Sequence, residues 1–278
     1  MTTLPDAVVE ALRCPLCGSP FDLDGRTLRC PSRHSFDLAR QGYVNLLHAG
    51  IPAGTADTAE MVAARADFLA AGHYARLRDR LVQVTAASAD GGLVVDAGAG
   101  TGYYLAGVLD RLPAAAGLAL DVSALALRRA AKAHPRLGAA VWNLWEPWPV
   151  ASESASVVLN VFAPRNGAEF RRVLRPGGTL LVVSPERGHL AELSAVAPVL
   201  EVDSRKEERL GAALSEHFEL ASRDALRERV VWKPEDVSRA VRMGPTGHHP
   251  GRLAALAEVT EPVEVTLAFS LSEYRRTT

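Results

Sequence analysis

The chain has 278 residues, 48% of them hydrophobic, and a formal net charge of -1 from 31 Lys and Arg against 32 Asp and Glu. That length suits one large α/β domain plus a small module, and the near-zero charge excludes a global electrostatic attraction to nucleic acid, so any RNA contact must come from local patches. No apolar run approaches the ~20 residues needed to cross a bilayer, and Met1-Thr-Thr-Leu-Pro-Asp6 lacks the basic and apolar parts of a secretory signal. A cytoplasmic protein with no membrane partner is expected.

Residues 1–40 read as short strands and turns around a metal. All three cysteines lie here, as Cys14-Pro-Leu-Cys17 and Cys30-Pro-Ser-Arg-His34. The pattern C-x2-C-x12-C-x3-H offers three thiolates and one imidazole, a ligand set for tetrahedral zinc. Four protein ligands leave no open coordination position, so the metal is structural and the chemistry lies elsewhere. Gly18 permits the tight turn that closes the first knuckle. A redox pair is the competing reading of C-x-x-C, but Pro15 sits inside the motif and a Cys/His pair follows at zinc-finger distance. A disulfide framework fits an odd count poorly, and the lack of cysteine after Cys30 fits a reducing compartment. The segment mixes Arg26, Arg29, Arg33 and Arg40 with Asp22, Asp24 and Asp37.

Residues 41–90 read as linker and helices. The linker runs through Gly50, Pro52 and Gly54, with a composition that suits a mobile or ligand-ordered stretch. From Thr58, the residues Met61, Ala64, Phe68 and Leu69, then Tyr74, Leu77, Leu81 and Val84, follow a helical period until Asp90-Gly91-Gly92. Strands and helices then alternate over 91–278. Strands are expected at Leu93–Asp96, Gly117–Asp121, about Ala139–Asn143, Ala155–Val161 and Gly178–Val183, with helices near Tyr103–Leu112, after Ser123 and before Arg175-Pro-Gly-Gly178. A polar-apolar stretch from Glu216 to Trp232, a helix from Pro234 and a last strand near Val263–Leu271 complete the chain. Such alternation predicts a mostly parallel, seven-stranded, Rossmann-like α/β sheet with helices on both faces.

The segment Asp96-Ala-Gly98-Ala-Gly100-Thr-Gly102-Tyr103 joins the first of these strands to its helix, where an open α/β sheet binds ligands. A dinucleotide fingerprint requires G-x-G-x-x-G, and Tyr103 stands at its third glycine. G-x-G-x-G after a strand-terminal acid is the pattern of S-adenosylmethionine-dependent methyltransferases. Asp121, ending the second strand, can accept from ribose hydroxyls, and Asn143, ending the third, can meet the adenine edge. Either residue also suits an ordinary turn or helix cap.

Further motifs carry a family resemblance. They are the two knuckles, Arg40-Gln-Gly-Tyr-Val-Asn-Leu-Leu47, Met61 through Phe68 with Gly72-His-Tyr74, Asn160-Val-Phe-Ala-Pro-Arg165 and Arg172-Val-Leu-Arg-Pro-Gly-Gly178. Together they resemble the bacterial 23S rRNA guanine-N1 methyltransferases, some of which confer resistance to tylosin and related macrolides. Arg242-Met-Gly-Pro-Thr-Gly-His-His249 departs from the family's pattern, which leaves substrate preference within the family open. The resemblance implies that Tyr74 and His189 join Gly100, Thr101 and Gly102 around S-adenosylmethionine, and that the target is a 748-type guanine in a 23S rRNA hairpin loop near the peptide exit tunnel. It also implies an RNA-recognition role for the zinc module, and it is compatible with a homodimer.

Guanine N1 carries a proton at neutral pH, so methyl transfer requires its removal as well as positioning. Asn160, Phe162 and Arg165, at the end of the fourth strand, are candidates to grip the base: Asn160 offers donor and acceptor, and Phe162 a stacking face. Glu186, His248 and His249 are candidates for the general base, among which the sequence does not choose. Two other classes remain open at this level: a small-molecule methyltransferase, and a zinc-dependent RNA-binding protein without catalysis.

Overall fold

A computed structural model of the chain describes residues 3–49, 56–89, 91–195, 214–249, 251, 253, 256 and 258–277. Gly50, Pro52 and Gly54 of the expected linker, and Asp90, lie outside them. Near the amino terminus, β1 (Asp22–Asp24), β2 (Thr27–Arg29) and β3 (Ser35–Asp37) form a three-stranded antiparallel sheet. The main sheet contains β4 (Tyr43–Asn45), β5 (Gly92–Ala97), β6 (Ala115–Asp121), β7 (Leu137–Val141), β8 (Ala155–Val161), β9 (Leu174–Pro185), β10 (Phe218–Trp232) and β11 (Val263–Arg276). Their spatial order is β10-β11-β9-β8-β5-β6-β7-β4. From β9 to β4 the strands are parallel, whereas β11 runs antiparallel to both β9 and β10.

The sheet thus has eight strands where seven are expected from the sequence. The extra edge strand comes from the stretch read as linker: Tyr43, Val44 and Asn45 pair with Ala139, Ala140 and Val141. Three residues show no readable period, and their pairing depends on a partner about a hundred positions away. The stretch from Glu216 to Trp232 becomes the long outer strand β10, exposed along most of its length. The last strand continues past Leu271 to Arg276. The third expected strand stops at Val141, so Asn143 sits in the turn beyond it.

The central strands are apolar throughout because both faces are covered; every residue of β7 and β8 is buried. On one face, α2 (Ala59–Ala70), α3 (Ala75–Ser88), α4 (Tyr103–Arg111) and α5 (Ala124–Ala130) supply Phe68, Leu77, Leu81, Leu105 and Leu127 to the core. The other face receives α1 (Asp6–Ala11) and α6 (Gly167–Val173), with Val8, Leu12 and Phe170. There α1 approaches β7 so closely that a methyl on Gly138 would lie 2.8 Å from Val8. The metal segment is built into this second core, since Cys14, Leu28, Cys30 and Leu38 cluster with Leu93, Leu118 and Trp142. Leu12 and Leu28 are fully buried, each worth roughly 1.5–3 kcal/mol of burial. A final helix, α7 (Pro234–Met243), packs on α2. Among the described residues, no helix is long and apolar enough to cross a membrane.

The chain passes from β5 through β6 to β7 on one side, then returns across the sheet to β8 on the other. That reversal opens a crevice at the carboxyl end of β5.

Candidate cofactor cleft and metal centre

The sulfurs of Cys14, Cys17 and Cys30 and a ring nitrogen of His34 all lie within 4.8 Å of one another. His34 Nδ1 is 3.4 Å from Cys14 Sγ and 3.5 Å from Cys30 Sγ, while Cys17 Sγ is 3.7 Å from Cys30 Sγ. Tetrahedral zinc with ordinary bond lengths separates two sulfurs by about 3.8 Å and sulfur from nitrogen by about 3.5 Å. The four side chains therefore fit zinc, with the imidazole binding through Nδ1. The first knuckle is shaped by the Gly18 N–H donating to the Cys14 carbonyl at 2.8 Å, with Gly18 at φ +72°. Four protein ligands fill the tetrahedron, as in a structural site.

The glycine loop occupies the crevice at the end of β5. Gly98, Gly100 and Gly102 have φ of +87°, +52° and +77°, a region costly for residues with a Cβ. Gly98 is also cramped: a methyl there would lie 2.3 Å from Ala163 Cβ, on the loop after β8. The N–H groups of Gly98 and Ala99 donate to the Leu120 carbonyl, tying the loop to β6. Asp121 then accepts from the Gly100 N–H and the Ser123 N–H, both at 2.8 Å. Burial raises its carboxyl above the ordinary range, opposed by these two N–H groups. A carboxylate has further lone-pair sites, so the grip on the loop is compatible with a ribose hydroxyl.

Asp96 is different. It is 1% exposed, and neither carboxylate oxygen has a hydrogen-bond partner among the described residues. Burial, helped by the charge of Asp121, pushes it up to about 8. A carboxyl left unpaired beside a glycine loop calls for a cationic or hydrogen-donating ligand, since burying it alone is costly. The ammonium of S-adenosylmethionine meets that demand. The cramped loop, Asp121 and Asp96 together fit this cofactor.

An aromatic cluster lies beside the loop. The Tyr74 ring is 5.0 Å from Phe269 and 6.2 Å from Phe162, and His189 is 4.6 Å from Phe269. His189 Nδ1 accepts from the Ala268 N–H, which puts the proton of the neutral ring on Nε2, 3.3 Å from the Tyr74 hydroxyl. Burial lowers His189 to about 4, so it stays neutral, and burial also raises the Tyr74 phenol. Tyr74 and His189, 115 positions apart, thus form one unit. Phe162 is 42% exposed with φ +54°, a strained backbone for a non-glycine residue that turns its ring outward.

Asn160 is buried, and its Nδ2 donates to the carbonyls of Ala97 (3.3 Å) and Pro164 (2.9 Å), while Oδ1 has no partner among the described residues. Arg165 donates to the Ser184 hydroxyl. Asn143 accepts from the Trp145 N–H at 3.1 Å, a turn contact. Thr101 lines a groove of about 520 Å³ with Tyr103, Arg78 and Arg129, between α2 and α3 on one side and α4 and α5 on the other. Of the candidate bases, Glu186 is half-buried, His249 is exposed, and His248 Nε2 lies 4.0 Å from Asp57 Oδ1.

Sequence reasoning missed Arg65 and Asp57. Arg65 Nη2 donates to Asp57 Oδ2 at 2.7 Å and to the Met243 carbonyl at 2.8 Å. Both charges act on Asp121. The available signal was weak: an arginine inside the helical period of Met61 to Leu69 reads as the solvated face of α2.

Comparisons with known proteins agree with this architecture. The family profile described as the amino-terminal zinc ribbon of RlmA matches residues 12–50, a span that includes all four metal ligands. A Streptomyces fradiae protein named 23S rRNA (guanine(748)-N(1))-methyltransferase is 47% identical, covering 96% of this chain and 98% of its own. A Micromonospora griseorubida protein, 51% identical over 98% of this chain and 99% of its own, is named provisionally for 23S rRNA guanine-N1 methylation. Among solved structures, the YcgJ protein of Bacillus subtilis aligns with a TM-score of 0.51 at 15% identity over 72% of this chain and 98% of its own, which speaks to the fold alone. With near-complete coverage at about half identity, the chain belongs to the 23S rRNA (guanine-N1)-methyltransferase family.

Proposed function

We propose that this protein transfers the methyl group of S-adenosylmethionine to N1 of the 748-type guanine, in a 23S rRNA hairpin loop near the peptide exit tunnel, and that this confers resistance to tylosin-type macrolides. The observation that carries the cofactor half is the unpaired Asp96 carboxyl beside the glycine loop. The guanine position is supported by the 47% identity to the relative named for guanine 748. A ribosomal RNA substrate makes the protein cytoplasmic.

When bound, S-adenosylmethionine supplies an electrophilic methyl. Asp96 would hold the ammonium end of the cofactor, Gly98, Gly100, Thr101 and Gly102 would give it backbone room, and Asp121 would receive the ribose. Asn143 would meet the adenine edge, and Tyr74 and His189 would join in holding the cofactor. The target base is turned out of its loop, which costs least for an unpaired nucleotide. Phe162 stacks on the purine, and the unpartnered Oδ1 of Asn160 accepts from its edge. The N1 proton leaves to water, the charge it leaves behind spreads from N1 to guanine O6, and the Arg165 guanidinium favours that deprotonated form. The module at residues 1–40 docks the RNA, with Arg26, Arg29, Arg33 and Arg40 as its cations.

The direct test incubates the protein with labelled S-adenosylmethionine and unmethylated 23S rRNA and maps modification by primer extension. A strong stop at the 748-type guanine is expected. Methyl transfer to a small acceptor with no stop on rRNA refutes the RNA assignment, and cofactor binding without any transfer refutes catalysis. Expression in a tylosin-sensitive host, read as inhibitory concentration, tests the resistance.

A further inference from the structure

Arg65 stands against the glycine loop from the side of α2. Its Cδ lies 3.7 Å from the place a Gly100 Cβ would take. Nη2 is held by Asp57 and by the Met243 carbonyl, while the Nε–H is buried with no partner among the described residues. The Arg65 charge is felt at Tyr74, Tyr104 and Asp121, and Tyr104 also feels Asp96. One loop is therefore flanked by a carboxyl that lacks a donor and by a guanidinium with an unspent N–H. The methionine end of the cofactor is a zwitterion, with its ammonium and its carboxylate on the same carbon.

We propose that Arg65 binds the α-carboxylate of the methionine moiety of S-adenosylmethionine through its Nε–H. This rests on the cofactor reading above and adds a residue to it. The Asp57 and Met243 contacts hold the guanidinium before the ligand arrives, so little side-chain freedom is lost on binding. Charge-assisted hydrogen bonds are the stronger class, and this one is made only by ligands that retain the amino-acid end.

The test compares two ligands by calorimetry on the full-length, zinc-loaded protein. S-adenosylhomocysteine carries the amino-acid end; 5′-methylthioadenosine lacks it. R65Q is expected to weaken S-adenosylhomocysteine by about tenfold or more while leaving methylthioadenosine within about twofold. R65K, which keeps a charge but loses the Nε–H, falls between, and D57N, which loosens the guanidinium without removing its N–H, weakens S-adenosylhomocysteine selectively but by clearly less than R65Q. Equal weakening of both ligands by R65Q, or a selective loss in D57N as large as in R65Q, makes Arg65 a structural tie and overturns the proposal. If R65Q does not fold, a wild-type ratio in R65K overturns it. Wild-type protein that binds neither compound removes the cofactor reading and this assignment with it, whereas tight wild-type binding with an unchanged ratio in R65Q removes only the assignment.

Discussion

Asp96 sets stability against function, and Asp96→Asn exposes the conflict. The carboxyl titrates near 3.8 when unfolded and is pushed up to about 8 by burial in the ligand-free fold. Between those values the native state holds a proton that the unfolded chain has released, so stability falls as pH rises across the window. Each pH unit inside it costs about 1.4 kcal/mol, which gives about 3 kcal/mol between pH 5.5 and 7.5. Asn stays neutral and nearly isosteric, so the melting-temperature gap between the variant and wild type should widen in the variant's favour by that amount. For 278 residues, with an unfolding entropy of about 2.1 cal/mol/K per residue, the change is about 5 °C. Calorimetric melts of zinc-loaded, ligand-free protein at the two pH values measure it. The same variant should bind S-adenosylhomocysteine at least about tenfold more weakly, having lost a charge-assisted partner for the ammonium. A gap that does not change with pH, or unaltered ligand affinity, refutes the account of Asp96 as an unpaired carboxyl kept for a cationic ligand.

Three further outcomes are expected. Gly98→Ala places a methyl 2.3 Å from Ala163 at φ +87°, so it should cost about 1–3 kcal/mol in stability and abolish detectable S-adenosylhomocysteine binding by calorimetry. Cys30→Ala should lose zinc by metal analysis, and because Cys30 lies in the core shared with Leu93 and Leu118, the melting temperature of the whole protein should fall while ligand affinity stays within a few-fold; normal zinc content would refute the ligand set. Phe162→Ala should lower kcat/KM for the RNA by about five- to 150-fold, the worth of one base stack at about 1–3 kcal/mol, without changing cofactor affinity.

Much of this was legible in one dimension. The zinc ligands are close in sequence, and their spacing is dictated by a metal whose geometry does not vary, so Cys14, Cys17, Cys30 and His34 come together as expected. The glycine loop is local too, since positive φ at Gly98, Gly100 and Gly102 is a constraint that glycine announces. Strand β4 was not legible, being only three residues long. Asn143 was placed at a strand end and lies in a turn, because a period of two does not say where pairing stops. Arg65 was hidden for another reason: its surroundings come from Asp57, Gly100 and Met243, the last 178 positions away.

The sequence by itself determined the Cys/His cluster, the alternation that makes a parallel sheet and the tight glycine loop after its first central strand, all of which follow from ligand spacing, hydrophobic period and backbone freedom within a few residues. Tertiary structure alone decided that the zinc segment shares a core with the sheet, that Tyr74 meets His189, that Asp96 is left unpaired and that Arg65 faces the glycine loop. Those are properties of what surrounds a side chain, and burial and charge depend on neighbours that only the folded chain brings together.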